Sequence, residues 1–447
     1  MPQIDGRSSS QDLADLFGSH EGDLAIGGIP LTNLAEQFGT PLYVYDAERI
    51  RGAYRHLSET VAGLAGIYYS IKANPNPAIA HVLVEEGAGL EIASAAEYIA
   101  ARAAGAQPKR ILFAGPGKRP DELAYVIERG IGEIHLESHE EIARVAAIGQ
   151  GLGVEVPVAL RINPSATAQG GAMRMGGKPS PFGFDEEGLE AVIDVVSAHP
   201  SLRLAGIHLF VGTQILDADV LAGQWAHGLR LAVRAAQHLG RPLDTIDLGG
   251  GLGIPYFQGE TALDLQRLGE RIQDLRTFVR NQPLIRDAAV VIEPGRFLVG
   301  PAGLYAGQVL ASKISRGTRF LVIDGGMHHH LAASGNLGQV IKRDYPVVAA
   351  TSRGRETSPC IVVGPLCTPL DTLARQAMLP DLRAGELVAI LQSGAYGLTA
   401  SPIGFLSHPS PAEVLVDGGR ISLIRARGSF EAPITLPGGG GQGSHVG

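Results

Sequence analysis

Cysteine is nearly absent: 447 residues contain only Cys360 and Cys367, and tryptophan occurs once. Two thiols cannot build a disulfide framework or a cysteine-rich metal site, so a reducing, cytoplasmic location is the default expectation. Basic residues are not in excess. Thirty-seven Lys and Arg face 45 Asp and Glu, a net charge of −8 that leaves no footprint for nucleic acid. No apolar run approaches the roughly 20 residues needed to span a bilayer. The polar stretch Met1 to Glu21 has no apolar core of the kind a signal peptide carries. With 45% hydrophobic and 18% charged residues, the composition is that of a globular protein of two or three domains.

Glycine is plentiful, at 60 residues, and much of it follows apolar runs, as tight turns at strand ends require. After Pro41–Asp46, eight strand-like runs alternate with alanine-rich amphipathic stretches: Ile67–Lys72, Leu90–Ala93, Ile111–Ala114, Glu133–Leu136, Pro157–Ile162, Leu204–Phe210, Thr245–Leu248 and Val290–Glu293. Eight such units in about 230 residues predict an α/β fold, a (β/α)8 barrel. A doubly wound sheet needs fewer strands and a dinucleotide fingerprint. The nearest candidate, Gly249-Gly250-Gly251-Leu252-Gly253-Ile254, misses the last glycine of that pattern. Beyond residue 300 turns separate strand-like runs, which predicts a second, mainly β domain. The expected division is 1–40 an N-terminal segment, 41–302 the barrel, 303–435 the β domain, and 436–447 a disordered glycine-rich tail.

The carboxyl ends of barrel strands form the active face of such a fold. Lys72 closes the first run, ahead of Ala73-Asn74-Pro75-Asn76-Pro77. Desolvation there would lower its pKa toward a nucleophilic amine able to hold a carbonyl cofactor, pyridoxal phosphate above all. The alternative is a lysine that caps a strand and reaches water. Glu91, Arg161, His208, the glycine run and Glu293 occupy the corresponding ends of other strands. Charges placed in apolar strands are costly unless paired or used. Around a pyridoxal ring, Glu293 could pair with the ring nitrogen. Gly249, Gly250 and Gly251, with Thr213 and Arg296, could hold a phosphate; a plain tight turn is the other reading of the glycines.

Several segments, in order, carry a resemblance: Tyr69-Ser70-Ile71-Lys72-Ala73-Asn74, Glu91-Ile92-Ala93-Ser94, Gly206 to Gln214, Asp247-Leu248-Gly249-Gly250-Gly251, Glu293-Pro294-Gly295-Arg296, Gly364-Pro365-Leu366-Cys367 and Gly394-Ala395-Tyr396. Over residues 40 to 408 the chain resembles the fold-type III pyridoxal-phosphate decarboxylases, the family of diaminopimelate and ornithine decarboxylases. The resemblance implies an alanine-racemase-like TIM barrel with a β domain, pyridoxal 5'-phosphate as cofactor, and a homodimer with shared active sites. It implies that Lys72, Glu91, Arg161, His208, Phe210, Thr213, Gly295, Arg296 and Tyr396 surround the cofactor. It also implies that Cys367, supplied by the partner subunit, protonates the reacting carbon after CO2 leaves. A buried core thiol is the other reading of Cys367; Cys360 reads as core.

The departures from the family concern the substrate. Phe210 replaces the usual ring-stacking histidine, and Thr213 a phosphate serine. Thr368 stands where an acidic residue usually receives a distal ammonium, and Asn336 falls near a second expected acid. Asn336, Thr368 and Asp371 are the substrate-pocket candidates. An ammonium buried beside neutral groups costs about 3–5 kcal/mol, which disfavours ornithine, lysine or diaminopimelate. These features, with Gly176 to Gly183 and Met327-His328-His329-His330, are similar to a biosynthetic branch that decarboxylates carrier-tethered or conjugated amino acids. A metal site at the three histidines is not expected, because consecutive residues converge poorly on one ion. A loop near the substrate entrance or a solvated turn is. The rival functions are a racemase on the same cofactor, a diaminopimelate decarboxylase, and a non-catalytic or regulatory homologue.

Overall fold

The computed structural model describes residues 14, 17–20, 22–165, 173–174, 179–210, 212–257, 259–337, 339, 341–351 and 355–429. The expected tail, the first twelve residues, and Gly176, Gly177, Lys178 and Val211 of the quoted segments lie outside them.

Strand β1 is Leu42–Asp46, all five residues buried. Eight parallel strands follow: β2 Gly66–Ser70, β3 Gly89–Ile92, β4 Ile111–Phe113, β5 Glu133–Leu136, β6 Val156–Asn163, β7 Leu202–Leu209, β8 Thr245–Asp247 and β9 Ala289–Ile292. Their order is β6-β7-β8-β9-β2-β3-β4-β5, and β5 pairs with β6 to close the barrel. At the closure Ile134 faces Val158 and Leu136 faces Leu160. All eight predicted strands are present. The reason is local: each short apolar run leads into a turn, and several of the helices that follow are capped. Ser94 accepts from the Glu97 amide and Ser138 from the Glu141 amide, satisfying helix donors that have no partner within the helix.

Apart from a small three-stranded sheet of Ser19–His20, Asp23–Ile26 and Ile29–Pro30, and short pairings at 173–174, 184–185 and 212–213, eight strands join β1 in a second sheet. They are β10 Gly303–Ser315, β11 Thr318–Ile323, β12 Val347–Ala349, β13 Thr357–Val363, β14 Thr372–Pro380, β15 Leu387–Ile390, β16 Ala412–Asp417 and β17 Arg420–Arg425. The path runs β14-β13-β11-β10-β1-β16-β17, with β15 joined to β10 and β12. β1 therefore lies inside this sheet, antiparallel to β10 and parallel to β16. Residues 42–46 do not belong with the barrel as expected from the sequence. Their unbroken apolar run fits a strand buried on both faces, and the chain enters the barrel layer only with the helix Ala47–Val61. Among the described residues no helix is long and apolar enough to cross a membrane.

The sheet grips the barrel at the turn that carries Lys72. β2 ends at Ser70, two residues earlier than predicted, and Ile71–Ala73 form a single 3-10 turn. The Tyr396 amide donates to Ala73 O at 2.8 Å, and Asn74 Nδ2 donates to Gly394 O at 3.2 Å. Gly394 is packed so closely that an added Cβ would lie 1.8 Å from Val299 O. Gly394→Ala should therefore destabilise the protein by about 3 kcal/mol or more in urea unfolding. Gly404→Ala, where a Cβ meets nothing within 4 Å, should stay within about 0.5 kcal/mol of wild type. Equal stabilities would contradict this account of the junction.

Candidate active site

Lys72 is at the barrel mouth, its side chain 47% exposed, with Nζ 3.1 Å from Glu91 Oε2. Glu91 is buried and also accepts from Ser70 Oγ at 2.5 Å. Burial acts to lower the Lys72 pKa, but Glu91 and then Glu293 outweigh it and hold the ammonium above the usual lysine range. The sequence predicted the opposite direction, since desolvation of the lysine is visible there and the carboxylate it meets is not. In the cofactor-free protein Lys72 is a charged partner of Glu91.

Glu293 follows β9 and is buried, with His208 Nε2 3.4 Å from Oε2. Its Oε1 is buried without a hydrogen-bond partner. Burial pushes His208 down to about 4, so at pH 7 its ring is neutral. Burial opposes the charge on Glu293 as well, yet the His208 ring, His135 and Lys72 together hold its carboxyl below the usual carboxylate range. Behind it, burial and then the Glu293 charge push Asp247 well up, so Asp247 keeps the proton. Asp247 Oδ1 accepts from the Gly249 amide at 2.8 Å. The His135 ring lies tilted against His208 with ring centroids 4.3 Å apart, and its Nε2 is 3.2 Å from Glu133. Ligand-type atoms of His135, His208, Asp247 and Glu293 all lie within 4.8 Å of one another. Glu133, His135 and Asp247 were not among the predicted site residues. The signal was available: Glu133, His135 and Glu137 alternate along an apolar strand, and such residues share one face.

The glycine run packs against this carboxylate. A Cβ on Gly249 would lie 2.1 Å from Leu209 O, and one on Gly250 would lie 2.5 Å from Glu293 O. Gly295 touches the Lys72 turn, where a Cβ would come within 3.0 Å of the Ala73 Cβ. Arg296 Nη2 donates to Thr213 Oγ1 at 3.2 Å, and its guanidinium lies over the Tyr396 ring at 4.9 Å. Arg161 pairs with Glu137 at 2.8 Å and sits over two rings, Phe182 at 4.8 Å and Phe210 at 5.9 Å. A pyridoxal phosphate fits these residues. The buried, ionised Glu293 carboxylate suits a protonated ring nitrogen, and Thr213, Arg296 and the bare glycine backbone suit a phosphate.

A second cluster forms in the sheet domain. Cys367 is exposed, whereas Cys360 is buried and directs its thiol toward Ala377 O. Asp371 binds the Met327 amide at 2.6 Å through Oδ1 and the Leu366 amide at 2.8 Å through Oδ2. Its oxygens fasten the Cys367 turn to the 326–330 loop. Thr368 Oγ1 accepts from the Leu370 amide at 3.3 Å, and Asn336 Nδ2 donates to Leu370 O at 3.1 Å. His328, His329 and His330 are buried, so the solvated-turn reading fails. Their bonds diverge: His329 meets Tyr305 Oη at 3.2 Å, His330 meets Ser393 Oγ at 2.9 Å, and His328 has neither nitrogen bonded. Burial pushes the three down to about 4, 3 and 3. Among the described contacts none joins Cys367, Thr368, Asn336 or Asp371 to Lys72 within the chain.

Residues 47–300 match the family described as "Pyridoxal-dependent decarboxylase, pyridoxal binding domain". The chain is 38% identical over 405 residues to an L-glutamyl-[BtrI acyl-carrier protein] decarboxylase of Niallia circulans, covering 90% of this chain and 94% of that protein. It is 32% identical over 421 residues to a diaminopimelate decarboxylase of Zymomonas mobilis, covering 93% and 96%. A diaminopimelate decarboxylase structure from M. jannaschii superposes with a TM-score of 0.87 at 26% identity, covering 95% of this chain and 99% of that one.

The Glu137–Arg161 pair has a consequence for stability. Burial opposes ionisation of Glu137, but Arg161 and then Lys118 outweigh it, so its carboxyl lies below the usual range. A pKa depressed by folding stabilises the protein at pH 7, and that stabilisation is lost as pH falls through the folded value. Glu137→Gln leaves a buried Arg161 unpaired and should cost about 3–5 kcal/mol at pH 7. The gap between wild type and variant should narrow between pH 5 and pH 3 in denaturant titrations. A gap that is constant over this range would refute the pairing argument.

Proposed function

The chain belongs to the pyridoxal-dependent decarboxylases, and we propose that it removes the α-carboxylate of an amino acid whose side chain ends in a neutral or acidic group, free or joined to a larger molecule such as a carrier protein. The cofactor is pyridoxal 5'-phosphate. The observation that carries the substrate reading is the state of the Cys367 turn. Asp371 is the turn's only acid, and its oxygens are taken by the Met327 and Leu366 amides. Thr368 and Asn336 are neutral, so a distal ammonium would lose its counter-ion there. The relative that acts on an L-glutamyl group on a carrier protein supports the same reading.

Lys72 would hold the cofactor's aldehyde, Glu293 its ring nitrogen, and Phe210 its ring face. Gly249 to Gly251 with Thr213, Arg296 and Tyr396 would hold its phosphate. When bound, the group supplies an aldehyde for the substrate amine and an electron-withdrawing ring for the α-carbon. Glu293 stays ionised because the His208 ring, His135 and Lys72 favour its charge while the neighbouring Asp247 carboxyl is pushed the other way, so a fixed negative charge would face the ring. Lys72 is released from Glu91 when it gives up its charge, and it returns as the amine that displaces product. Cys367 delivers a proton to the α-carbon.

Cys367 and Lys72 belong to separate clusters, so the proposal includes a homodimer in which each barrel mouth receives the partner's Cys367 turn. It also includes a cytoplasmic location, which suits an exposed free thiol.

Lys72→Ala should abolish CO2 release and the visible absorbance of the bound cofactor, and Cys367→Ala should abolish product formation. Mixing the two inactive variants should restore about a quarter of wild-type activity, because half of the randomly formed dimers carry one intact site. No recovery after verified subunit exchange would rule out shared sites. Separately, CO2 release should be faster from L-glutamate or a carrier-bound L-glutamyl group than from diaminopimelate, lysine or ornithine, by about 10²–10³ in kcat/KM. Rapid turnover of diaminopimelate would overturn the substrate reading and leave the diaminopimelate decarboxylase alternative.

A further inference from the structure

Lys342 directs an ammonium onto the edge of the Cys367 turn. Its Nζ donates to Asn336 Oδ1 at 2.6 Å. Asn336 in turn donates to Leu370 O at 3.1 Å and to Ser334 Oγ at 2.6 Å. The lysine stem lies across Gly335, whose φ is +73°. A Cβ there would be 3.1 Å from Lys342 Cγ, so the glycine makes room for the stem. Leu370 lies between Thr368 and Asp371, so the chain of contacts Lys342–Asn336–Leu370 ends three residues from the thiol.

Neighbouring charges are already committed. Arg343 pairs with Glu260 at 3.0 Å and covers the Phe257 ring at 3.9 Å. Arg375 pairs with Asp344 at 3.1 Å, and Asp344 also accepts from the Arg375 and Gln376 amides. Asp371 is bound to backbone. Among the described residues no carboxylate pairs with Lys342, which stays exposed and charged with only a neutral amide as partner.

We propose that Lys342, positioned by Asn336, is a cationic subsite for an anionic group at the far end of the substrate. The inference rests on the reading of Cys367 as the proton donor, since that reading places the turn beside the substrate. It sharpens the substrate class. The distal end of the pocket is positive as well as lacking an acid, so it attracts a carboxylate or phosphate and repels an ammonium. Two sources supply such an anion: the side-chain carboxylate of a free acidic amino acid, or the phosphate of an arm that carries the amino acid.

The test uses holoenzyme and four probes: L-glutamate, the γ-thioester of L-glutamate with pantetheine 4'-phosphate, the same thioester with unphosphorylated pantetheine, and L-ornithine. Lys342→Glu should raise KM about tenfold for the anionic probe that the subsite takes, leave kcat within about twofold, and lower KM for ornithine. Lys342→Gln should show a smaller rise and Lys342→Arg should restore wild-type KM. Added salt should raise KM in the wild type and have little effect on Lys342→Gln. A rise for glutamate identifies a carboxylate as the bound group; a rise for the phosphorylated thioester alone identifies the phosphate. Normal wild-type turnover with unchanged KM ratios in Lys342→Glu would overturn the subsite and leave the decarboxylase reading intact. Failure of wild type to release CO2 from any probe would overturn both. Thermal unfolding of each variant, expected at the wild-type temperature because Lys342 is exposed, separates these outcomes from misfolding.

Discussion

A buried, ionised carboxylate at the centre of the barrel imposes the arrangement of everything near it. Moving Glu293 out of water carries a penalty of several kcal/mol even after relaxation, and attraction to neighbouring groups must offset it. Asp247 surrenders its charge by keeping a proton, so two negative charges do not meet. His208 faces Glu293 at 3.4 Å and, although burial lowers its own pKa, is the neighbour that most favours the charge on Glu293. Lys72 supplies the countercharge from the mouth, shared with Glu91. The glycines complete the arrangement: Gly250 allows the backbone of its turn to touch Glu293 O, where any side chain would collide. This packing demand alone accounts for the glycine run, whatever else the bare amides hold.

The second sheet takes part in this constraint. β1 is threaded between β10 and β16, and the same sheet supplies the Tyr396 amide that fixes the Lys72 turn. Tyr45 Oη and Asn76 Nδ2 both reach Glu413, one from each side of the junction. Reactive lysine and sheet are thus one mechanical unit. Tyr396 itself adopts a φ of +52°, a conformation uncommon outside glycine, and the tight Gly394 junction beside it explains how that backbone is held.

Local features of the fold were legible in the sequence, and features that depend on distant partners were not. All eight barrel strands announced themselves because a parallel strand buried on both faces is a short apolar run followed by a turn. The glycines and charged strand ends likewise marked one rim. The direction of the Lys72 pKa was missed because it depends on Glu91, nineteen residues away and on another strand. The role of Asp371 was missed for a similar reason, since Met327, whose amide it binds, is 44 residues earlier. Position β1 was misassigned because strand and sheet membership are separate questions: Leu42–Asp46 reads as a strand in either domain, and only its partners decide. The Glu133–His135–Glu137 alternation was readable and unread.

Chemistry and selection lie on different pieces of the chain. In the proposed function the barrel cluster would handle groups that every α-amino acid carries, an amine and a carboxylate; its charges are locked together by burial. Altering one of them disturbs the balance around Glu293. In the proposed function the Cys367 turn would bear the features that distinguish substrates, and its exposed residues are less tightly constrained. Asp371 fastens the turn through the Met327 and Leu366 amides, and Asn336 is held by Leu370 O and Ser334 Oγ, so the exposed Lys342 is the residue there whose charge can change at little cost to the fold. Under the proposed subsite, a lysine at this exposed position would redirect specificity at little cost in stability, because exposed charges contribute about 1 kcal/mol or less to folding and act on a ligand through the sign of the field they set.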